Sequence, residues 1–361
     1  MTAVPEESKL SYNFLGKSGL KVANICLGTM TFGDSGAKRP GQATEEYSHQ
    51  VLDRYVQWGG NFLDTADVYT QGLSEKFIGS WLTKQSREQF VVATKVRFNS
   101  SIGVGLSRRH IVNSIQRSLE RLQTDYVDLY QMHLWDDGTP IEETLRTFDD
   151  LVRCGKVRYV GASNVVGWQL QKIVCTSEKL GLNPFVSLQQ QYSLVCRETE
   201  FEPLQVCKTE GLGVLPWSPL KGGLLSGKYT RESPPTTGRH GWRRQNDAGS
   251  WNTVQEDNQI WAIMDAVRDI ANTRGKSMAE VSLRWLLQKD VVPSVIIGAT
   301  SLEQLDDNLG ASSGWTLSSE EMTRLDEVSQ PRVPYPYEMI WRSNKSRRNP
   351  FQSSYFVSNT D

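Results

Sequence analysis

Residues 90 to 133 open with Phe90-Val91-Val92-Ala93-Thr94-Lys95, a nearly unbroken apolar run that ends in a charge. A helical stretch follows from Ser107 to Gln123, in which Ile111, Ile115, Leu119 and Leu122 share one face at a 3.6-residue period. Ser107 is its expected N-cap. The segment closes on Val127–His133, a second strand-like run ending in a titratable residue. Runs this apolar fit parallel strands buried on both faces, and a strand, helix, strand order is the unit that builds parallel sheets.

The same unit recurs on either side. Strand-like Ile25–Gly28 precedes helix-like Thr44–Trp58, and Asn61–Asp64 precedes Ser74–Lys84. Further on, Val127–His133 precedes Pro140–Cys154, with Pro140 expected in the first turn and Gly155 as the stop. Tyr159–Ser163 precedes Val166–Leu180, Val186–Gln189 precedes Phe201–Glu210, and Gly213–Trp217 precedes Glu256–Arg274. Ser294–Ile297 then precedes Ser301–Leu309, with an extra helix at Met278–Gln288 before it. Eight such units in 361 residues predict a (β/α)8 TIM barrel occupying residues 1–361 as a single domain. An open dinucleotide-binding sheet should carry GxGxxG after an early strand, and Gly103-Val104-Gly105 lacks both the third glycine and that context. Residues 11–24, turning at Gly16-Lys17-Ser18-Gly19, predict a hairpin that plugs the barrel bottom. Residues 218–257 are too long for an ordinary connection and follow the seventh strand, on the face where barrels carry their sites. The tail, 330–361, is rich in proline, arginine and aromatics and is expected to wrap the barrel or close over a pocket.

Composition narrows the function. Forty basic residues balance 41 acidic ones for a net charge of −1, which argues against a general nucleic-acid binder. No apolar run reaches the ~18 residues of a membrane span. The first ten residues, 1–10, show neither a basic start nor an apolar stretch, so a cytosolic location is expected. The five cysteines form no CxxC pair, and His49, His110, His133 and His240 show no ligand spacing, so no metal site is expected.

Strand ends carry the chemistry of such barrels. Asp64 ends the second strand, Tyr69 follows in its loop, Lys95 ends the third strand and His133 the fourth. A buried lysine needs a carboxylate, and Asp64 on the adjacent strand is the natural partner. A tyrosine beside that lysine has its phenolate favoured, which makes it a proton donor for a carbonyl oxygen, with His133 placed to hydrogen-bond the same oxygen. Each residue alone has an ordinary alternative: a helix cap, a solvated cation, a packing ring, a core histidine. The four together on successive strand ends do not.

These motifs resemble the aldo-keto reductases over nearly the whole chain. The carriers are residues 25–33, Asn61-Phe62-Leu63-Asp64-Thr65-Ala66-Asp67-Val68-Tyr69, Ala93-Thr94-Lys95 and Met132-His133. The resemblance implies a catalytic tetrad of Asp64, Tyr69, Lys95 and His133, with Tyr69 as general acid and pro-R hydride transfer from NADP(H). It implies that Ser163, Asn164 and Gln189 hold the nicotinamide carboxamide and that Trp217 stacks on the ring. The run from Trp217 through Ser218, Pro219, Leu220, Lys221 and Gly222 to Lys228 resembles the family's pyrophosphate-spanning loop. Gly298, Thr300, Gln304, Asp307 and Asn308 fall where the adenosine end binds. Gly28, Thr29, Met30 and Asp64 complete the expected cofactor contacts. Gln304 stands where many members have arginine and Gly298 where many have lysine, so Arg239 or Lys228 is expected to supply the missing charge. That pattern is closer to the branch containing potassium channel β-subunits, whose alternative role is cofactor sensing. Those proteins commonly carry asparagine where this chain has His133. The expected substrate is a small carbonyl compound resting on Met30, Phe32, Tyr69, His133 and Trp135. Further aromatics in the long loop and tail (Trp242, Trp251, Tyr337, Trp341, Phe356) favour apolar carbonyls over charged sugars, while Arg243 and Arg244 leave room for an acidic one.

Overall fold

Gly16 turns the chain between β1 (Tyr12–Phe14) and β2 (Lys21–Ala23), which pair antiparallel. Its backbone is left-handed, and a methyl group there would come within 2.5 Å of the Val186 carbonyl oxygen, so only glycine permits the approach. Lys17 N–H donates to the Gly211 carbonyl at 2.8 Å, fixing the hairpin against the barrel. Leu15 and Val22 then bury with Cys26, Phe62, Ala93, Leu129 and Leu215 in an apolar layer that closes the bottom, as expected from sequence.

The computed structural model describes residues 9–34, 41–98, 103–232, 235–236, 240–241 and 249–347. Eight parallel strands follow the hairpin: β3 (Ile25–Gly28), β4 (Phe62–Asp64), β5 (Val91–Val96), β6 (Val127–Met132), β7 (Val157–Ser163), β8 (Phe185–Gln191), β9 (Gly213–Trp217) and β10 (Val295–Ile297). From β3 to β9 each pairs with the next in chain order, and β10 returns to pair with β3. β9 lies against β10, and Val214 N–H donates to the carbonyl of Val291, which precedes β10, at 2.8 Å. The result is a nearly closed (β/α)8 barrel, the architecture predicted above.

Helices α1 (Glu45–Gln57), α2 (Leu73–Leu82), α3 (Arg108–Leu122), α4 (Ile141–Arg153), α5 (Gly167–Lys179) and α6 (Pro203–Glu210) fill the early connections. Ser107 caps α3 as expected, accepting from His110 N–H at 3.4 Å. Pro140 sits one position earlier than expected, at the N-cap of α4, where its missing N–H also costs nothing. The described part of the segment after β9 is partly helical. It holds a tight 3-10 turn at Lys221–Ser226 and α7 (Gly249–Glu256), whose Trp251 is buried. Then come α8 (Asn258–Arg274), α9 (Met278–Leu287), α10 (Leu302–Leu309), α11 (Ser319–Val328) and α12 (Tyr337–Asn344). In the tail, Tyr337 and Trp341 stack on Phe201, and Tyr337 donates to Glu202 Oε1 at 2.6 Å. This part of the tail therefore lies against the connection that follows β8. Arg239, Trp242, Arg243, Arg244 and Phe356 lie outside the described residues.

Candidate active site

The parallel register brings the strand-end residues together. Asp64 pairs with Ala93, so Lys95 lies two residues further along β5, and it pairs with Gln131 on β6. Lys95 is 0% exposed and Asp64 2% exposed. Lys95 Nζ donates to Asp64 Oδ1 at 2.5 Å, to the Thr65 carbonyl at 2.7 Å and to Tyr69 Oη at 3.3 Å. An ammonium group has three N–H donors, and these three acceptors use them all. Burial works against the charge, but Asp64 and then Tyr69 outweigh it and hold the lysine proton more firmly than usual.

Tyr69 reaches the lysine through an unusual turn. Thr70 and Gln71, both non-glycine, are left-handed at φ 46° and 57°, and Gly72 continues at 91°. Left-handed side-chain-bearing residues are uncommon and persist where their surroundings hold them. Thr70 Oγ1 donates to the Phe32 carbonyl at 2.9 Å, and Gly33 leaves room for the Thr70 methyl group.

His133 follows β6 and is 8% exposed. Its ring meets Tyr69 edge-on at 5.9 Å and Phe98 at 4.7 Å. Burial, and secondarily Lys95, push its pKa down to about 2, so the imidazole is neutral at any ordinary pH. Its Nδ1 is buried with no partner among the described residues. The cluster therefore presents a phenol, a neutral imidazole and a fixed cation at one place. It can transfer a proton to an oxygen atom and stabilise the phenolate left behind.

The residues singled out on β7 to β9 also converge. Asn164 is left-handed at φ 52°. Its Nδ2 donates to the His133 carbonyl and to Ser163 Oγ, both at 2.9 Å, and its Oδ1 accepts from the Trp217 indole at 3.1 Å. Asn164 thus braces His133 and Trp217 across the mouth. Gln189 Nε2 donates to Asp64 Oδ2 at 2.8 Å, and Gln131 Nε2 reaches the same oxygen at 3.2 Å. Beyond Trp217 the backbone is left-handed at Ser218, Lys221, Gly222, Gly223 and Gly227. Pro219 is buried and Leu220 half-buried. Within this stretch the Lys221 and Gly223 N–H groups donate to the Ser218 and Leu220 carbonyls, each at 2.9 Å, closing tight turns. Lys228 lies against Gly223, where a methyl group would meet its Nζ at 2.8 Å. Burial makes Lys228 give up its proton more readily than usual, and it has no carboxylate partner among the described residues.

The residues expected to face an adenosine end are partly engaged with the protein. Gln304 Oε1 accepts from Thr300 N–H at 3.2 Å and Oγ1 at 2.9 Å. Asp307 accepts from Ser277 Oγ at 3.0 Å, and Asn308 Nδ2 points to the Gly298 carbonyl at 3.5 Å. Space above Gly298 is open. Near the first strand, Gly28 admits the Ile296 side chain, Thr29 is buried against Ser74, and Met30 is exposed. Phe32 is packed into the core at 1% exposure, so it offers no wall to a ligand; Trp135 is half-buried at the mouth and pairs edge-on with Trp168. Reading strand ends alone passed over Phe98, Gln131 and Trp168. Gln131 was legible only as a second polar residue, after Asp128, inside its strand.

Buried Lys95 and Asp64 beside half-buried Tyr69, at the mouth of a (β/α)8 barrel, make a site equipped for proton transfer. The chain belongs to the aldo/keto reductase family, whose model matches residues 24–330. It is 36% identical over 332 residues to an uncharacterized oxidoreductase, YrpG, of Bacillus subtilis, covering 88% of this chain and 96% of that one. It is 34% identical over 355 residues to versiconal hemiacetal acetate reductase of Aspergillus parasiticus, covering 91% of this chain and 100% of that one. Norsolorinic acid reductase stcV of Emericella nidulans is 31% identical over 340 residues, or 91% of this chain and 84% of that one. The chain is an oxidoreductase of this family. No described helix is long and apolar enough to cross a membrane.

Proposed function

We propose that this protein is an NADPH-dependent carbonyl reductase that converts an aldehyde or ketone to an alcohol in the cytosol. The observation that carries the reading is the Lys95 ammonium held between Asp64 Oδ1 and Tyr69 Oη beside a neutral His133. When bound, the reduced nicotinamide supplies the hydride that the carbonyl carbon receives. Tyr69 gives its proton to the carbonyl oxygen. Lys95 stabilises the phenolate that remains, and Asp64 keeps Lys95 charged. A neutral His133 donates a hydrogen bond to the substrate oxygen without competing for the proton. Tyr69 then recovers a proton from solvent.

The residues present fit the cofactor. The glycine-rich turns at 221–227 and Lys228, which has no carboxylate partner among the described residues, suit a pyrophosphate, and Trp217 gives a flat surface braced by Asn164. Ser163, Asn164 and Gln189 would hold a carboxamide, and Gly298, Thr300, Gln304, Asp307 and Asn308 would border the adenosine end. Lys228 would meet phosphate, which favours a dinucleotide bound across the mouth.

Met30 and Trp135 at the mouth, with Trp168 against Trp135, favour a bulky apolar carbonyl, aromatic, aliphatic or polyketide-like. The names of two relatives, reductases of versiconal hemiacetal acetate and of norsolorinic acid, support substrates of that kind. The test is NADPH consumption with a panel of aldehydes and ketones, on wild type and Tyr69→Phe, with NADPH binding followed separately by tryptophan fluorescence. Turnover by wild type that is lost in Tyr69→Phe with binding retained is the expected result. Binding without turnover on any carbonyl would contradict it.

A further inference from the structure

Gln131 sits inside β6, fully buried, two residues before His133. A neutral amide in that position needs partners, and it has two. Its Nε2 donates to Asp64 Oδ2 at 3.2 Å, and its Oε1 accepts from Gln189 Nε2 at 3.4 Å. Gln189 Nε2 donates to Asp64 Oδ2 as well, at 2.8 Å. A carboxylate can only accept, so both amides must turn their NH2 groups toward Asp64. The orientation of Gln189 is therefore set from inside the barrel. Its NH2 is committed inward, and its carbonyl oxygen is left as the group it can offer elsewhere.

The strand between them makes the contact possible. Gln131 pairs with Gly161 on β7, and Ser163 on that strand pairs with Gln189 on β8. A methyl group on Gly161 would lie 3.3 Å from Gln131 Cγ and 2.5 Å from Ser187 Oγ. The glycine opens a space inside the barrel through which the Gln131 side chain lies close enough to Gln189, on the strand beyond β7.

We infer that Gln131 is a positioning residue that locks Gln189 with its amide nitrogen on Asp64 and its carbonyl oxygen available to an N–H donor, so that cofactor recognition and the Asp64–Lys95 pair share one hydrogen-bond network. The inference rests on the proposed role of Gln189 toward a nicotinamide carboxamide. The N–H group of that carboxamide is what a fixed acceptor would select. Without Gln131, Gln189 keeps one of its two anchors and can turn.

The experiment is a double-mutant cycle on NADPH binding, read by tryptophan fluorescence on the full chain without substrate. Gln131→Met keeps length and volume while removing donor and acceptor; Gln189→Leu removes the amide that Gln131 orients. Losing the order of one hydrogen bond should weaken binding about fivefold to tenfold in Gln131→Met. The double variant should bind no more weakly than Gln189→Leu alone, because Gln131 acts through Gln189. Unchanged binding in a folded Gln131→Met, or losses that multiply in the double variant, would overturn the inference. If Gln131→Met does not fold, Gly161→Ala serves, since it crowds Gln131 without deleting the amide. The same weakening and the same non-additivity with Gln189→Leu are then expected, and full additivity overturns the inference. Failure of wild type to bind NADPH would instead strike at the cofactor reading itself, and the inference would fall with it.

Discussion

The two ends of the barrel interior are built on opposite principles. At the bottom, Leu15 and Val22 of the hairpin close over Cys26, Phe62, Ala93, Leu129 and Leu215, an apolar layer in which shape is the only requirement. At the mouth, Asp64, Lys95, Gln131 and Gln189 are equally buried, yet directed polar bonds join them. The same strands supply both layers, a few residues apart. The bottom holds the strands together. The top spends some of that stability on keeping a cation and a carboxylate out of water, where removing one partner exposes the full desolvation cost of the other.

Substitutions at the two ends should separate those roles. Lys95→Met should do the most damage, because it leaves Asp64 buried with its ionic partner gone. Turnover should fall by roughly 10²–10⁴-fold, and stability by about 3–5 kcal/mol; steady-state kinetics and denaturant unfolding check both. Leu15→Ala should cost about 2–4 kcal/mol in unfolding free energy through the cavity it leaves, with kcat unchanged below the melting range. A large kcat loss there would break the division between the ends. Lys228→Met, on the other side of the mouth, should raise the Kd for NADPH by about tenfold, as expected for one lost charge-assisted contact, with little change in kcat.

The smallest effect concerns Asp67, buried beside the site with both carboxylate oxygens unpartnered among the described residues. Burial, then Glu75, raises its pKa from 3.8 to about 7. The unfolded carboxyl therefore loses its proton first as pH rises, and stability declines between about pH 4 and pH 7. Asp67→Asn should show a melting temperature a few degrees above wild type near about pH 8 and equal to it near about pH 4. Equal melting curves at both pH values would mean the carboxyl is satisfied.

Much of this was legible in the sequence, and the boundary is physical. The barrel followed from eight apolar strands and helical periods, and the meeting of Asp64, Lys95, Tyr69 and His133 from their places at strand ends. Charges at the ends of apolar runs stand out because they are costly. Gln131 did not stand out, since a neutral amide in a strand shows no imbalance until its partners on β4 and β8 are seen. Phe32 reads as a mouth residue by position, but its loop folds it into the core. The helix Ser319–Val328 carries a readable capping box, Ser318 with Glu321, beyond the last barrel strand. The left-handed turn at Thr70 and Gln71 could not be foreseen, because neither residue favours it locally.

The measurement that tests the central claim most directly is transfer of label from NADPH deuterated at the pro-R position of C4 to the substrate carbonyl carbon. Wild type should yield an alcohol with deuterium on the carbinol carbon, and Tyr69→Phe should bind the same cofactor yet yield almost none. An unlabelled alcohol from wild type, or equal labelled product from Tyr69→Phe, would contradict the account.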